Sequence, residues 1–158
     1  MSEGQAASDS KQDCGPSALF RSILVPVDLT EKNASALAIA EDLAKRNEGD
    51  LTLLHVIETI EESGFDRDEL EEFYRRLEDK ARKGLEDLAA KVADEVPVHQ
   101  AVIYGRRARS IVQWAQEKGK DLIVIGSHSM DTSEHRDAWL TISYQVAMLA
   151  TCPVLLIK

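Results

Sequence analysis

Hydroxyl, imidazole and apolar residues that could form a phosphate-binding loop lie near the carboxyl end of the chain. The apolar run LIVI at 122–125 ends at Gly126, and Ser127, His128 and Ser129 follow directly. A glycine at the end of a buried strand, followed by hydroxyls, is typical of a loop whose backbone N–H groups hold phosphate. The sequence after Gly126 contains no further glycine, however. The loop therefore has the position of a phosphate cradle but only part of its composition.

A carboxylate closes the first apolar run, SILVPVD, at Asp28. This carboxylate could accept hydrogen bonds from an adenine amino group or a ribose hydroxyl, and it could equally cap the helix that follows. Both interpretations stay open on the sequence alone. In the next apolar run, Val56 is interpreted as buried packing whatever else it contacts. His55 beside it is interpreted as a core histidine with one bonded ring nitrogen.

The loop after Gly126 lacks the signature of a catalytic site. Ser127 and Ser129 are not part of a G-x-S-x-G pattern, and His128 is interpreted as shaping the loop rather than acting as a base. The four histidines show no HxxH or HExxH spacing, which argues against a metal site. We therefore expect no enzymatic activity and no metal.

Strand-like and helix-like patterns alternate along the chain and would position these residues. The strand-like runs span 22–28, 51–57, 96–104, 122–125 and 153–158. Between them, apolar residues recur at helical spacing, as in Ala36, Ile39, Ala40 and Leu43 of the first helix or Trp139, Ile142, Val146 and Leu149 of the last. This alternation predicts an α/β domain with a parallel sheet covered on both faces. Ligands on such sheets bind beyond the carboxyl ends of the strands, which selects Asp28 and the ranges 56–58 and 126–129.

Composition bounds the class of protein. The chain has 158 residues, enough for one domain, and a formal net charge of −9 that disfavours a nucleic-acid partner. No apolar run approaches the roughly 18 residues that span a membrane, and the first residues lack the pattern of a secretory signal. We interpret residues 1–19 as a mobile tail and expect a cytoplasmic protein. Cys14 and Cys152 form no metal-ligand pattern, and a disulfide between them is not expected.

The last strand predicts self-association. Val154–Ile157 are four consecutive apolar residues, and the final strand of an open sheet commonly lies at an edge. Pairing of two copies across a two-fold axis would cover this edge. We therefore predict a homodimer through residues 153–158.

Taken together, these segments resemble the universal stress protein (UspA) family over residues 20–158. The resemblance rests on their order: ILVPVDLT, LTLLHVIE, AVIYG, DLIVIGSH and TCPVLLIK. It implies a three-layer sandwich whose five-stranded parallel sheet has the order 3-2-1-4-5, with dimerisation through the last strand. It also implies a stress-response role without established catalysis.

Within the resemblance, one branch of the family binds ATP or AMP and the other lacks the nucleotide motif. Asp28 and Val56 match the adenine-side positions of the binding branch, and Gly126 matches the first glycine of its G-x2-G-x9-G-[ST] pattern. Ser129 stands at the second glycine, while Thr141 matches the final hydroxyl residue. His128 could serve as a further donor to a nucleotide.

The departures from the pattern weaken the phosphate side. Leu140 stands at the third glycine, and the spacing between Ser129 and Leu140 is one residue too long. A branched apolar side chain where phosphate oxygens should pass disfavours a triphosphate. Asp131, Glu134 and Asp137 would repel it further unless Mg²⁺ intervened.

Three functional hypotheses follow, in order of preference. The first is a non-catalytic homodimeric regulatory or protective module with a degraded nucleotide site and no bound cofactor, acting through an unidentified protein partner or phosphorylation within 127–137. The second is a switch that binds ATP or AMP, with Mg²⁺, in the cleft between strands one and four. The third, slow ATP hydrolysis, is weakest because the sequence shows no Walker lysine or placed base.

Overall fold

The computed structural model describes residues 20–59, 64, 66–127 and 141–158, and this part of the chain alternates strands and helices as predicted. The strands are β1 (Ser22–Pro26), β2 (Asp50–Ile57), β3 (Val98–Tyr104), β4 (Leu122–Gly126) and β5 (Val154–Ile157). The helices are a short 3-10 turn (Glu31–Asn33), α1 (Ala34–Asn47), α2 (Arg67–Ala89), α3 (Arg107–Glu117) and α4 (Ile142–Leu149). The predicted mobile tail at 1–19 lies outside the described residues and stays a prediction.

All five strands pair in parallel in one sheet of order β3-β2-β1-β4-β5. This confirms the predicted α/β class and strand order. The central strand β1 has β2 on one side and β4 on the other, so the chain reverses its direction of travel across the sheet at β1. In sheets of this kind a crevice opens at that point, beyond the carboxyl ends of the strands.

Two apolar layers cover the sheet, because alternate residues of each strand point to opposite faces. On one face Ile23 and Val25 of β1 pack with α1 and α2. On the other face Leu24 packs with α3 and α4. The three-layer arrangement therefore follows from the apolar residues on both faces of each strand. Among the described residues, no helix is both long and apolar enough to cross a membrane.

The buried stripe of α1 differs from the predicted one. Ile39 is 38% exposed, while Leu37 is buried and the small side chains Ala36, Ala40 and Ala44 form the rest of the stripe. Alanines let the helix lie close to the sheet, so Leu37 fills the remaining space and Ile39 turns outward. At the far end of the chain, Leu149 of α4 was also expected to line a packed face and is 55% exposed instead.

A set of polar contacts holds the amino ends of the strands. The Asp121 carboxylate accepts the Arg21 amide at 2.9 Å on one oxygen and the Ser22 amide at 3.1 Å on the other. The Lys120 side chain, only 8% exposed, donates to Ser22 Oγ at 3.0 Å and pairs with Asp50 at 3.3 Å. These contacts join the starts of β1, β2 and β4.

The turn between α1 and β2 completes this end of the sheet. Glu48 takes the left-handed conformation there, with φ of 52°, whereas Gly49 is needed for a different reason. A Cβ on Gly49 would lie 2.5 Å from the carbonyl oxygen of Arg21. Glycine at 49 therefore allows two backbone segments to approach each other.

Candidate functional site

A cleft of about 540 Å³ opens at the carboxyl ends of β1, β2 and β4. Its walls mix apolar side chains, suited to the face of a planar ring, with polar groups suited to its edge. The cleft is lined by Pro26, Val27, Asp28, Asn33, Leu54, His55, Val56, Arg107, Ile111, Ile125, Gly126, Thr141, Ile142 and Ser143. Four residues predicted from the sequence, Asp28, Val56, Gly126 and Thr141, thus lie in one cavity.

Asp28 is held by the loop that follows β1. Its Oδ1 accepts hydrogen bonds from the Thr30 amide at 3.0 Å, the Thr30 hydroxyl at 2.7 Å and Asn33 Nδ2 at 2.6 Å. Burial by itself would raise the pKa of Asp28, but the bonds from Thr30 and Asn33 outweigh it and hold the pKa below its ordinary value of 3.8. The carboxylate is therefore charged at neutral pH. All three of these bonds use Oδ1, so Oδ2 can still accept a hydrogen bond from a ligand.

The sequence left two roles open for Asp28, and the structure shows a third, local one: the N-cap positions belong to Thr30 for the 3-10 turn and to Asn33 for α1, while Asp28 organises the loop before them. The bond from the amide two residues ahead is an Asx turn, which shapes the entry to the 3-10 turn and α1. This role does not exclude contact with a ligand, because it uses a single carboxylate oxygen.

His55 and Asn33 contribute to the cleft in ways that the sequence did not reveal. His55 Nδ1 lies 2.8 Å from the carbonyl oxygen of Val27, so this nitrogen carries the proton and donates. The prediction of one bonded ring nitrogen agrees with this contact, but the ring is half-buried in the cleft wall rather than in the core. Asn33 is 6% exposed and bridges Asp28 and the Thr30 carbonyl oxygen. It lies five residues after Asp28, at the end of the 3-10 turn and at the N-cap position of α1.

Arg107 brings a positive charge to the rim of the cleft. Its Nε lies 3.5 Å from Glu58 Oε2, and both side chains are 53% exposed. A pair this open to solvent contributes little to stability. The guanidinium can therefore turn toward an anion in the cleft with a small energetic loss.

Gly126 and Thr141 form the side of the cleft where phosphate was predicted. A Cβ on Gly126 would have only an ordinary contact, 3.6 Å from the Lys32 carbonyl oxygen. The described residues around Gly126 thus leave room that a side chain would fill. Thr141 is the N-cap residue of α4, and its hydroxyl accepts the Tyr144 amide at 3.4 Å. The amino end of a helix, which favours negative charge, therefore faces this region.

Part of the predicted site lies outside the described residues. The residues outside are His128, Ser129 and Leu140. The side chain of Leu140 was the reason to disfavour a triphosphate. The degraded phosphate site accordingly stays a prediction. Among the residues that the structure does describe, no three potential metal ligands come together.

Comparison with known proteins identifies the family. The model of the universal stress protein family matches residues 19–158. The universal stress protein YxiE of Bacillus subtilis is 32% identical over 151 residues, which cover 89% of this chain and 100% of YxiE.

Solved structures agree with this assignment. The universal stress protein UspA from Lactobacillus plantarum superposes with a TM-score of 0.69 at 26% identity, covering 89% of this chain and 99% of that one. The universal stress protein from Archaeoglobus fulgidus in complex with dAMP shares the fold, with a TM-score of 0.59 and 18% identity over 89% of this chain and 99% of its own. The sheet order, the cleft at its switch point and these matches lead to one conclusion: the chain belongs to the universal stress protein family.

Proposed function

We propose that this universal stress protein is a non-catalytic module that binds an adenine mononucleotide in the cleft. The observation that carries the proposal is the meeting of Asp28, Val56, Gly126 and Thr141 around one cavity of about 540 Å³. That volume lies within the range of about 300–1,000 Å³ typical of small-molecule sites. Because the same positions hold the nucleotide in the binding branch of the family, the geometry favours the switch hypothesis over a lost site.

The chemistry of the walls matches the parts of a nucleotide. Val56 and Ile125, both buried, offer apolar surface to a base. Asp28 Oδ2 can accept from an adenine amino group or a ribose hydroxyl. The amino end of α4 at Thr141 and the guanidinium of Arg107 favour a phosphate.

A single phosphate suits this protein better than three. The net charge of −9 disfavours a highly charged ligand, and Leu140 replaces a glycine of the triphosphate pattern. The A. fulgidus relative in complex with dAMP shows that the fold accommodates a nucleoside monophosphate. We therefore expect AMP to bind more tightly than ATP, and we expect Mg²⁺ to help only ATP.

We further propose that the module is a homodimer through β5. This strand lies at the edge of the sheet, with Leu155 and Leu156 each 37% exposed. Met148 and Leu149 of α4 are exposed as well, at 66% and 55%. Sedimentation equilibrium at micromolar concentration is expected to give twice the chain mass, and Leu156→Lys to give the monomer. A monomeric wild type would contradict this part of the proposal.

The second candidate is a module that works without nucleotide. The observation in its favour is that the bonds from Thr30 and Asn33 explain Asp28 as a residue that organises the loop after β1, with no ligand required. In that case the dimer and the residues 127–137 would carry the function through a protein partner.

Thermal unfolding with AMP, ADP and ATP, with and without Mg²⁺, separates the two candidates. A ligand at about a hundred times its Kd should stabilise the fold by roughly 2.7 kcal/mol. Asp28→Ala is expected to abolish the AMP shift, whereas Asp87→Ala, at an exposed position on α2, should retain it. No shift with millimolar nucleotide would overturn the binding proposal and favour the second candidate.

A further inference from the structure

Two residues that are unfavourable in their own local structures contact each other where the Asp28 loop meets helix α2. Leu29 directly follows Asp28 and has φ of 63°, in the left-handed region that a residue with a branched side chain rarely adopts. Gly84 lies in the interior of α2, where glycine is a poor helix former. The local structure around each residue does not explain why leucine stands at 29 or why glycine stands at 84.

Their contact explains both. A Cβ on Gly84 would lie 3.0 Å from Leu29 Cδ2 and 3.3 Å from Cδ1. Glycine at 84 thus leaves a recess on α2 that receives the end of the Leu29 side chain. Leu29 also packs against the apolar cluster on the α1 and α2 face of the sheet.

The contact fixes the backbone on both sides of Leu29. Asp28 precedes this residue and Thr30 follows it, and the two are joined by the bonds to Asp28 Oδ1. Anchoring Leu29 therefore determines where the Asp28 carboxylate stands at the cleft. Strained conformations that persist because their surroundings impose them tend to cluster at binding sites.

We propose that Leu29 and Gly84 are a positioning pair that holds Asp28 in its binding geometry, so that helix α2 takes part in ligand recognition without touching the ligand. This inference rests on the proposed function for its effect on affinity, but the positioning itself can be measured without any ligand.

The first measurement is hydrogen exchange of the Thr30 amide, followed by NMR on the full-length protein without nucleotide. Gly84→Ala should displace Leu29 and speed this exchange by about tenfold or more, because the bond to Asp28 Oδ1 opens more often. Lys83→Ala places an alanine at the neighbouring exposed position and should leave the rate unchanged. An unchanged rate in a folded Gly84→Ala protein would overturn the inference.

A double-mutant cycle with Leu29→Ala tests whether the two residues act together. Leu29→Ala removes the two methyl groups that a new Cβ would meet. Adding Gly84→Ala in that background should change the Thr30 exchange rate by less than about twofold. An equal effect of Gly84→Ala in both backgrounds would contradict a positioning pair. If Gly84→Ala prevents folding, Leu29→Ala alone decides, since it must itself speed the exchange.

The second measurement is AMP affinity by calorimetry across the same cycle. Gly84→Ala is expected to raise the Kd by roughly tenfold, as a small misplacement of a contacting group does. The thermal stability without ligand should not fall in proportion, because alanine is the better helix former. Absence of AMP binding to the wild type would refute the proposed function, while the exchange cycle would still decide the positioning role. Normal AMP affinity in Gly84→Ala would overturn the link between α2 and the cleft.

Discussion

The two ends of the parallel sheet use the same residue types in opposite ways. At the amino end, Asp121 accepts one backbone amide on each carboxylate oxygen. At the carboxyl end, Asp28 receives three donors on one oxygen, beside an open cleft. Both oxygens of Asp121 thus bond to backbone amides, whereas the bonds from Thr30 and Asn33 all use Oδ1 of Asp28.

Glycine shows the same contrast. Gly49, at the amino end, is required because a Cβ would meet the Arg21 carbonyl oxygen at 2.5 Å. Among the described residues, a Cβ on Gly126, at the carboxyl end, would meet the Lys32 carbonyl oxygen at 3.6 Å, an ordinary contact distance. Packing within the described part of the chain therefore explains the first glycine but not the second.

This contrast between the two ends of the sheet separates residues expected to stabilise the fold from residues expected to bind a ligand. Groups at the amino end bond to backbone and side chains that hold the strand starts together, so their removal should reduce stability alone. Groups at the carboxyl end have capacity left over, and their removal should affect a ligand more than the fold. The following substitutions test this division.

The largest effect is expected from Asp121→Ala. It removes, just before β4, the acceptor of the Arg21 and Ser22 amides at the start of β1, and the loss of two hydrogen bonds to a charged group should lower the free energy of unfolding by about 3 kcal/mol. Urea denaturation measures this change, and AMP affinity should remain that of the wild type. A loss of affinity with little loss of stability would break the proposed division between the two ends.

The glycine pair should give the next largest effect. Gly49→Ala forces backbone segments apart and is expected to cost about 2 kcal/mol of stability. Gly126→Ala, the matched substitution at the other end, should change stability by less than about 0.5 kcal/mol. In calorimetric titration with AMP, Gly126→Ala should nevertheless weaken binding, since its methyl group enters the cleft. Equal stability losses in the two variants would show that packing explains both glycines.

The smallest effect is expected in how the free energy of unfolding changes as the pH falls below neutrality. Because the pKa of Asp28 is lower in the folded protein than in the unfolded chain, its ionised form stabilises the fold above roughly pH 4. That contribution is lost as the pH falls through the folded pKa, since the unfolded chain takes up the proton first. Asp28→Asn should therefore differ from the wild type at neutral pH and converge with it in acid.

Unfolding by urea between pH 2 and pH 7 measures this convergence. Asp87→Asn, at an exposed site on α2, serves as the control and should run parallel to the wild type across the range. A constant difference between Asp28→Asn and the wild type would mean that the charge of Asp28 does not contribute to stability.

Strand and helix periodicity predicted the fold well because it reflects burial. The apolar runs of β1, β2 and β4 are buried almost throughout, as continuous runs in a parallel sheet must be. Ile39 was placed on the wrong face because helical spacing alone cannot distinguish a stripe centred on alanines from one that includes Ile39. The choice depends on how closely α1 approaches the sheet, which is a property of packing.

The candidate site was predicted in part for the same reason. Asp28, Val56 and Gly126 end strands or lie near their ends, so their position follows from chain order and the switch-point rule. Asn33 and His55 act through hydrogen bonds to backbone or carboxylate oxygens, and no spacing rule identifies those partners. Gly84 meets the Asp28 loop through Leu29, far away in sequence.

The α/β class, the order of elements and the edge at which a ligand would bind could be predicted from the amino-acid sequence, because these follow from hydrophobic period and chain direction. The folded structure was needed to show which oxygen of Asp28 is used, which glycine is required by packing and which helix supports the Asp28 loop. The physical reason is distance: periodicity describes how one segment meets the core, whereas hydrogen bonds and close contacts depend on where two remote segments come to lie.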